Sequence, residues 1–150
     1  MSDCLACLLN NNPNLVPGGR ITETKHWIVE HCLGSLGIGS LVIKTKTHKE
    51  DLTEGFKEEL VELAVLLSKT HGALESVLKP DRIYIAKWGE TTEHLHFVIQ
   101  PVDKKTKQRF DAKGPLLQAR MLEQGESLNW KKAGRISLRI RRYLEKHSTN

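Results

Sequence analysis

Four residues near the middle and the start of the chain have the types and spacing to do chemistry: His94 and His96, with Cys4 and Cys7. The histidines sit in His94-Leu95-His96-Phe97-Val98-Ile99-Gln100-Pro101. A β-strand sends alternate side chains to opposite faces, so Leu95, Phe97 and Ile99 share an apolar face while His94, His96, Val98 and Gln100 share the other. The two imidazoles then stand two rises apart, ~6.6 Å, on a rigid support. Such a strand can present a nucleophile or a metal ligand, or be a half-buried strand that carries two histidines. Cys4 and Cys7 form a Cys-x-x-Cys pair, and His48 closes another strand-like run. Zinc takes four nitrogen or sulfur ligands in a tetrahedron, commonly two from a close cysteine pair, and Cys4, Cys7, His48 and His94 make such a set. Two small residues on one helical turn, or a redox pair, are the other readings of Cys-x-x-Cys.

The elements that must position these groups follow from periodicity. Ile21 to Cys32 is rich in β-formers and predicts a strand, and Ser40 to Lys46 predicts a second, joined by a loop carrying Gly34, Gly37 and Gly39. The glycine spacing matches neither a Walker loop nor a dinucleotide fingerprint, so turn geometry accounts for it. Thr47 to Glu50 has capping-box spacing, with a start near Thr53 as the alternative. From there Phe56, Leu60, Leu63, Ala64, Leu67, Leu74 and Val77 predict one long helix closed by Pro80, with His71 at the edge of its apolar stripe. Arg82 to Trp88 predicts a third strand, linked through Gly89-Glu90-Thr91-Thr92 to the histidine strand. Two helices, near Leu116 to Leu122 and Trp130 to Leu144, finish the chain. The expected fold class is α+β with an antiparallel sheet. The expected organisation is one domain over 1–150, with a core of about 4–101 and a helical extension of about 114–147.

Composition narrows the function classes. At 150 residues the chain is long enough for one domain with a substantial core. No apolar run approaches the ~20 residues that cross a bilayer. Neither a signal-peptide pattern nor an even cysteine set is present, and a reducing, cytoplasmic setting is expected. Net charge is +5. The basic residues concentrate in Lys104–Lys113 and along the last helix, where they read as a solvated face and a loop near a phosphorylated ligand. Aromatics make up only 5% of the chain and no nucleic-acid module is present, so nucleic acid is not the expected partner.

Leu41-Val42-Ile43-Lys44-Thr45-Lys46-Thr47-His48, a long helix, and Gly89-Glu90-Thr91-Thr92-Glu93-His94-Leu95-His96-Phe97 together resemble the histidine triad (HIT) superfamily of nucleotide hydrolases and transferases, over about Cys4 to Pro101. The resemblance implies an α+β half-barrel, usually a homodimer, in which the middle histidine of a His-φ-His-φ-His pattern attacks a nucleotide α-phosphorus to form a nucleotidyl-histidine. By that match His96 is the nucleophile. Zinc-binding members use ligands corresponding to Cys4, Cys7, His48 and His94, with the metal in a structural role. The turn Gly89, Glu90 and Thr91 is where such proteins take phosphate donors. This chain departs from the pattern at Val98, which replaces the third histidine. Gln100, on the same strand face, is the candidate to stand in for it at the phosphate. Thr45 stands where many members have proline, and Glu30, His31 and Cys32 fall where the ribose-binding acid is expected. The implied function is a nucleotide hydrolase or nucleotidyltransferase acting on a nucleoside phosphate ester, anhydride or phosphoramidate. The alternatives are a nucleotide- or phosphate-binding protein with little turnover and a zinc-stabilised interaction domain.

Overall fold

A computed structural model describes residues 4–54 and 56–148. Five strands form one antiparallel sheet: β1 (Thr22–Glu23), β2 (Trp27–His31), β3 (Leu41–Thr45), β4 (Arg82–Ala86) and β5 (His96–Val102), in the order β1-β2-β3-β5-β4. Among the described residues five α-helices accompany it: α1 (Leu5–Asn11), α2 (Lys57–Leu78), α3 (Lys104–Phe110), α4 (Gly114–Gln124) and α5 (Trp130–Lys146). The fold is α+β, as expected. Among the described residues, no helix is long and apolar enough to cross a membrane.

Strand alternation divides the sheet into two environments. Trp27, Val29, Leu41, Ile43 and Ile99 bury against α2 and α5, together with Leu63, Leu66, Ala73, Leu74, Ile140 and Leu144. The other face carries Glu30, Val42, Lys44, His96 and Val98. A second cluster of Leu36, Val102, Phe110, Leu117 and Met121 closes its far end under α3 and α4. Helix α1 also reaches this side: Asn10 donates from Nδ2 to the carbonyls of Thr45 and Lys46, both at 3.0 Å. A short helix of seven residues is marginal alone, so these tertiary bonds fix its place.

Several expectations are corrected. The run Ile21 to Cys32 is not one strand; it turns at Thr24, whose hydroxyl accepts from the amide of Trp27 at 3.1 Å, and becomes β1 and β2. No α-helix starts at Thr47. The long helix begins at Lys57, and the Glu59 side chain accepts from the Phe56 amide at 3.0 Å. Its buried stripe is Leu63, Leu66, Thr70, Ala73 and Leu74, while Phe56 and Leu60 face outward. The polar stretch after β5 is helix α3, because Asp103 caps it by accepting from the Thr106 amide at 2.7 Å. One glycine is a requirement of packing. Gly18, at φ +76°, lies against α5 where an added Cβ would meet Ser137 Cβ at 2.7 Å.

Candidate metal centre and adjoining cavity

Cys4 and Cys7 are one helical turn apart at the start of α1. Cys4 is the N-cap, and its sulfur accepts from the Cys7 amide at 3.5 Å. His48 follows β3 and His94 precedes β5, neighbours in the sheet, so the two imidazoles converge on the end of α1. His94 Nδ1 lies 3.4 Å from Cys4 Sγ and 3.5 Å from Cys7 Sγ. His48 Nδ1 lies 3.4 Å from Cys7 Sγ. All four ligand atoms fall within 4.8 Å of one another. Zinc bonds of ~2.3 Å to sulfur and ~2.0 Å to nitrogen set adjacent S and N atoms of a tetrahedron roughly 3.5 Å apart, so the four groups fit that ion.

The surroundings suit the same ion. His94 Nε2 donates to the Thr45 carbonyl at 2.9 Å, which turns the Nδ1 lone pair towards the sulfurs. The Thr45 hydroxyl, 3.0 Å from the same nitrogen, adds a second contact at the position where proline was the familiar residue. Burial holds His94 below the usual imidazole range, in the neutral form that binds metals. Burial raises the Cys4 thiol, but the Cys7 amide and the side chains of Cys7 and His48 outweigh it, and the net direction is down. Contact with Cys4 raises His48.

His96 opens β5 and is half-buried. Its Nδ1 donates to the His94 carbonyl at 2.5 Å, leaving Nε2 with its lone pair. The ring lines a cavity of about 220 Å³ together with Glu30, Val42, Lys44, Thr92 and Val98. Lys44 is its cross-strand partner on β3. Cys32 also lines this cavity, but burial, followed by the Glu30 charge, pushes its thiol up to about 12. A thiol so poorly ionised does not compete as a nucleophile.

The phosphate-binding expectations fare differently. Gln100 is wholly buried away from the cavity. Its Nε2 donates to the Leu36 carbonyl at 3.0 Å and contacts Met121 Sδ at 3.2 Å, and its Oε1 accepts from Gln118 at 3.0 Å. Its carboxamide ties the sheet to α4 instead of lining the cavity beside His96. Gly89, Glu90 and Thr91 lie in the β4–β5 connection beside the cavity rather than in its wall, where Thr92 is the residue present. The Glu90 carboxylate accepts from the Gly89 amide at 3.2 Å, and that contact lowers its pKa. His71 is remote from the site and pairs with Glu75 at 3.9 Å on α2. Glu30 is one of the three residues that fell where the ribose-binding acid was expected; Lys44 was not anticipated, and its signal was a single lysine at a pocket-facing position of an otherwise apolar strand.

No family model matches the sequence, and no curated protein matches it. Solved structures do match the fold. The HIT-like protein involved in cell-cycle regulation from Bartonella henselae superposes with a TM-score of 0.71 at 17% identity, over 95% of this chain and 96% of that one. A zinc-bound histidine triad family protein from Mycobacterium smegmatis gives 0.69 at 19%, over 96% of each chain. The diadenosine triphosphate hydrolase of Plasmodium falciparum gives 0.62 at 15%, over 85% of this chain and 77% of that one. The chain has the fold of the histidine triad proteins.

Proposed function

We propose that this protein is a zinc-containing HIT-type enzyme that transfers a nucleotidyl group through His96, as a hydrolase or nucleotidyltransferase. The observation that carries the reading is the His96 ring: Nδ1 is held by the His94 carbonyl and the ring lines the cavity. A neutral imidazole anchored at one nitrogen is a nucleophile at the other. Nε2 would attack the α-phosphorus, forming an N–P bond as the bond to the leaving oxygen or nitrogen breaks and that group departs with the electron pair. Water or another acceptor would then attack phosphorus, breaking the N–P bond and restoring the ring. Cys4, Cys7, His48 and His94 would hold the metal with four protein ligands, and it would then supply structural fixation of α1 and the His94 segment.

Donors for the phosphoryl oxygens are proposed at Thr92 and at the amides of the Gly89–Thr91 turn, the latter reaching substrate only if that turn moves towards the cavity. A nucleotide partner, a homodimer and a cytoplasmic location complete the proposal. Val98 beside His96 favours a second reading, a nucleotide-binding protein with little turnover, because no imidazole there protonates the leaving group. The two separate on incubation with dinucleoside polyphosphates and an adenylyl phosphoramidate. Product formation that disappears in His96→Ala supports the enzyme. Saturable binding without product supports the second reading.

A further inference from the structure

The cavity floor carries a charge pair that His96 chemistry does not use. Glu30 on β2 and Lys44 on β3 are 1% and 2% exposed. They form an ion pair through Glu30 Oε1, and the Lys44 ammonium also donates to the Ala6 carbonyl at 3.3 Å. Glu30 Oε2 has no hydrogen-bond partner among the described residues. Burying two charges is costly unless their remaining lone pairs are satisfied. The neighbouring wall is apolar, with Leu5, Leu9, Leu33, Val42, Val98 and Leu122. A flat heterocycle suits such a slot, and the carboxylate is the acceptor waiting at its end.

The placement matches the chemistry. Glu30 pairs in register with Val42, and Val42 with Val98, two residues along β5 from His96. Two strand spacings and two rises put the Cα atoms of Glu30 and His96 about 12 Å apart. With both side chains converging on one cavity, the remaining span suits a mononucleotide from its α-phosphorus to the pairing edge of its base.

We propose that Glu30 determines base specificity by accepting from the two adjacent N–H groups of guanine, so that the substrates are guanine nucleotides. This rests on the reading of His96 as the group that meets the phosphate. A carboxylate only accepts, and it matches two parallel donors in a fork. Guanine offers N1–H and the N2 amine side by side. Adenine and cytosine set a ring-nitrogen lone pair beside their amine, and uracil has one N–H between two carbonyls. Each of those would place a lone pair against the carboxylate, and buried mismatches of this kind discriminate strongly.

The test is a calorimetric titration of the zinc-loaded protein with GMP, IMP and AMP. GMP should bind at least about tenfold tighter than AMP, with IMP, which lacks the N2 amine, between them. Glu30→Gln should reduce the GMP preference to within about threefold. Because that variant leaves Lys44 without its partner, Glu30→Gln/Lys44→Met is measured beside it, with a thermal melt to establish folding; it too should bind GMP and AMP alike. Equal affinities in the wild type, or a guanine preference that survives in the folded variants, overturns the role of Glu30 and leaves that of His96 standing. Failure of every nucleotide to bind overturns both.

Discussion

The ring of His96 donates to the main-chain carbonyl of His94 at 2.5 Å, while the ring of His94 turns its own Nδ1 to within 3.4 Å of Cys4 Sγ. One residue thus links the four-ligand cluster to the proposed nucleophile. Its side chain belongs to the cluster and its carbonyl to the neighbouring imidazole. Fixing the backbone at His94 therefore also fixes the tautomer at His96.

Loss of the metal should loosen this arrangement. Cys4→Ser/Cys7→Ser should abolish stoichiometric zinc in elemental analysis. Zinc at 100-fold over its dissociation constant contributes about 2.7 kcal/mol. At ~2–4 °C per kcal/mol for a chain of this size, the melting temperature should fall by roughly 5–10 °C. A double mutant that keeps one zinc per chain would dismiss the site.

In the proposed reaction Val98 leaves the departing group without an imidazole acid. Turnover should therefore depend steeply on leaving-group basicity, aryl and pyrophosphate leaving groups reacting far faster than alkoxides or amines. General acid catalysis is worth about 10²–10⁴-fold, so Val98→His should raise kcat/KM for the poor leaving groups by at least about tenfold and change the good ones little. Equal effects on both kinds would contradict the account.

Gln100 should behave as a structural residue. Gln100→Leu leaves the Gln118 amide without its partner and takes one of two donors from the Leu36 carbonyl, which keeps the Ser40 hydroxyl at 2.8 Å, at about 1–3 kcal/mol. Denaturant unfolding should show that loss, while nucleotide affinity measured below the transition stays unchanged. A variant of native stability with weakened nucleotide binding would restore Gln100 to the phosphate site.

His31 makes a pH prediction. Its Nδ1 donates to the Cys32 carbonyl at 2.7 Å and its Nε2 accepts from the Gly39 amide at 2.9 Å, an arrangement available only to the neutral ring. Burial holds its pKa below the ordinary value of 6.5. As pH falls through ~6.5 the unfolded chain takes a proton that the folded chain refuses, so stability drops until the lowered folded pKa is reached, at up to ~1.4 kcal/mol per pH unit. Above ~6.5 this contribution is complete. The difference in unfolding free energy between wild type and His31→Gln, followed from pH 8 to 5, should shrink as pH falls. A constant difference would rule this out.

Much of the site could be read from residue order because β5 alternates strictly. His96 and Val98 share the pocket face, while Leu95 and Ile99 lie in the core. The convergence of Cys4, Cys7, His48 and His94 at the start of α1 was legible from their types and spacing. The burial of Gln100 was not legible, because alternation gives a face and not what covers it, and α4 closes the far end of that face. Helix α3 was hidden by its run of basic residues; the cap at Asp103 was its one local signal. The Lys44–Glu30 pair depends on register between separate strands, which no local pattern expresses.

The most direct test of the account is the covalent state of His96 during turnover. Zinc-loaded protein is mixed with guanosine 5′-tetraphospho-5′-guanosine, quenched within milliseconds, and examined by intact and peptide mass spectrometry. The account predicts a guanylyl adduct on the peptide bearing His96, present in wild type and absent in His96→Ala. Product formed at the wild-type rate by His96→Ala, or an adduct on a different residue, would contradict it.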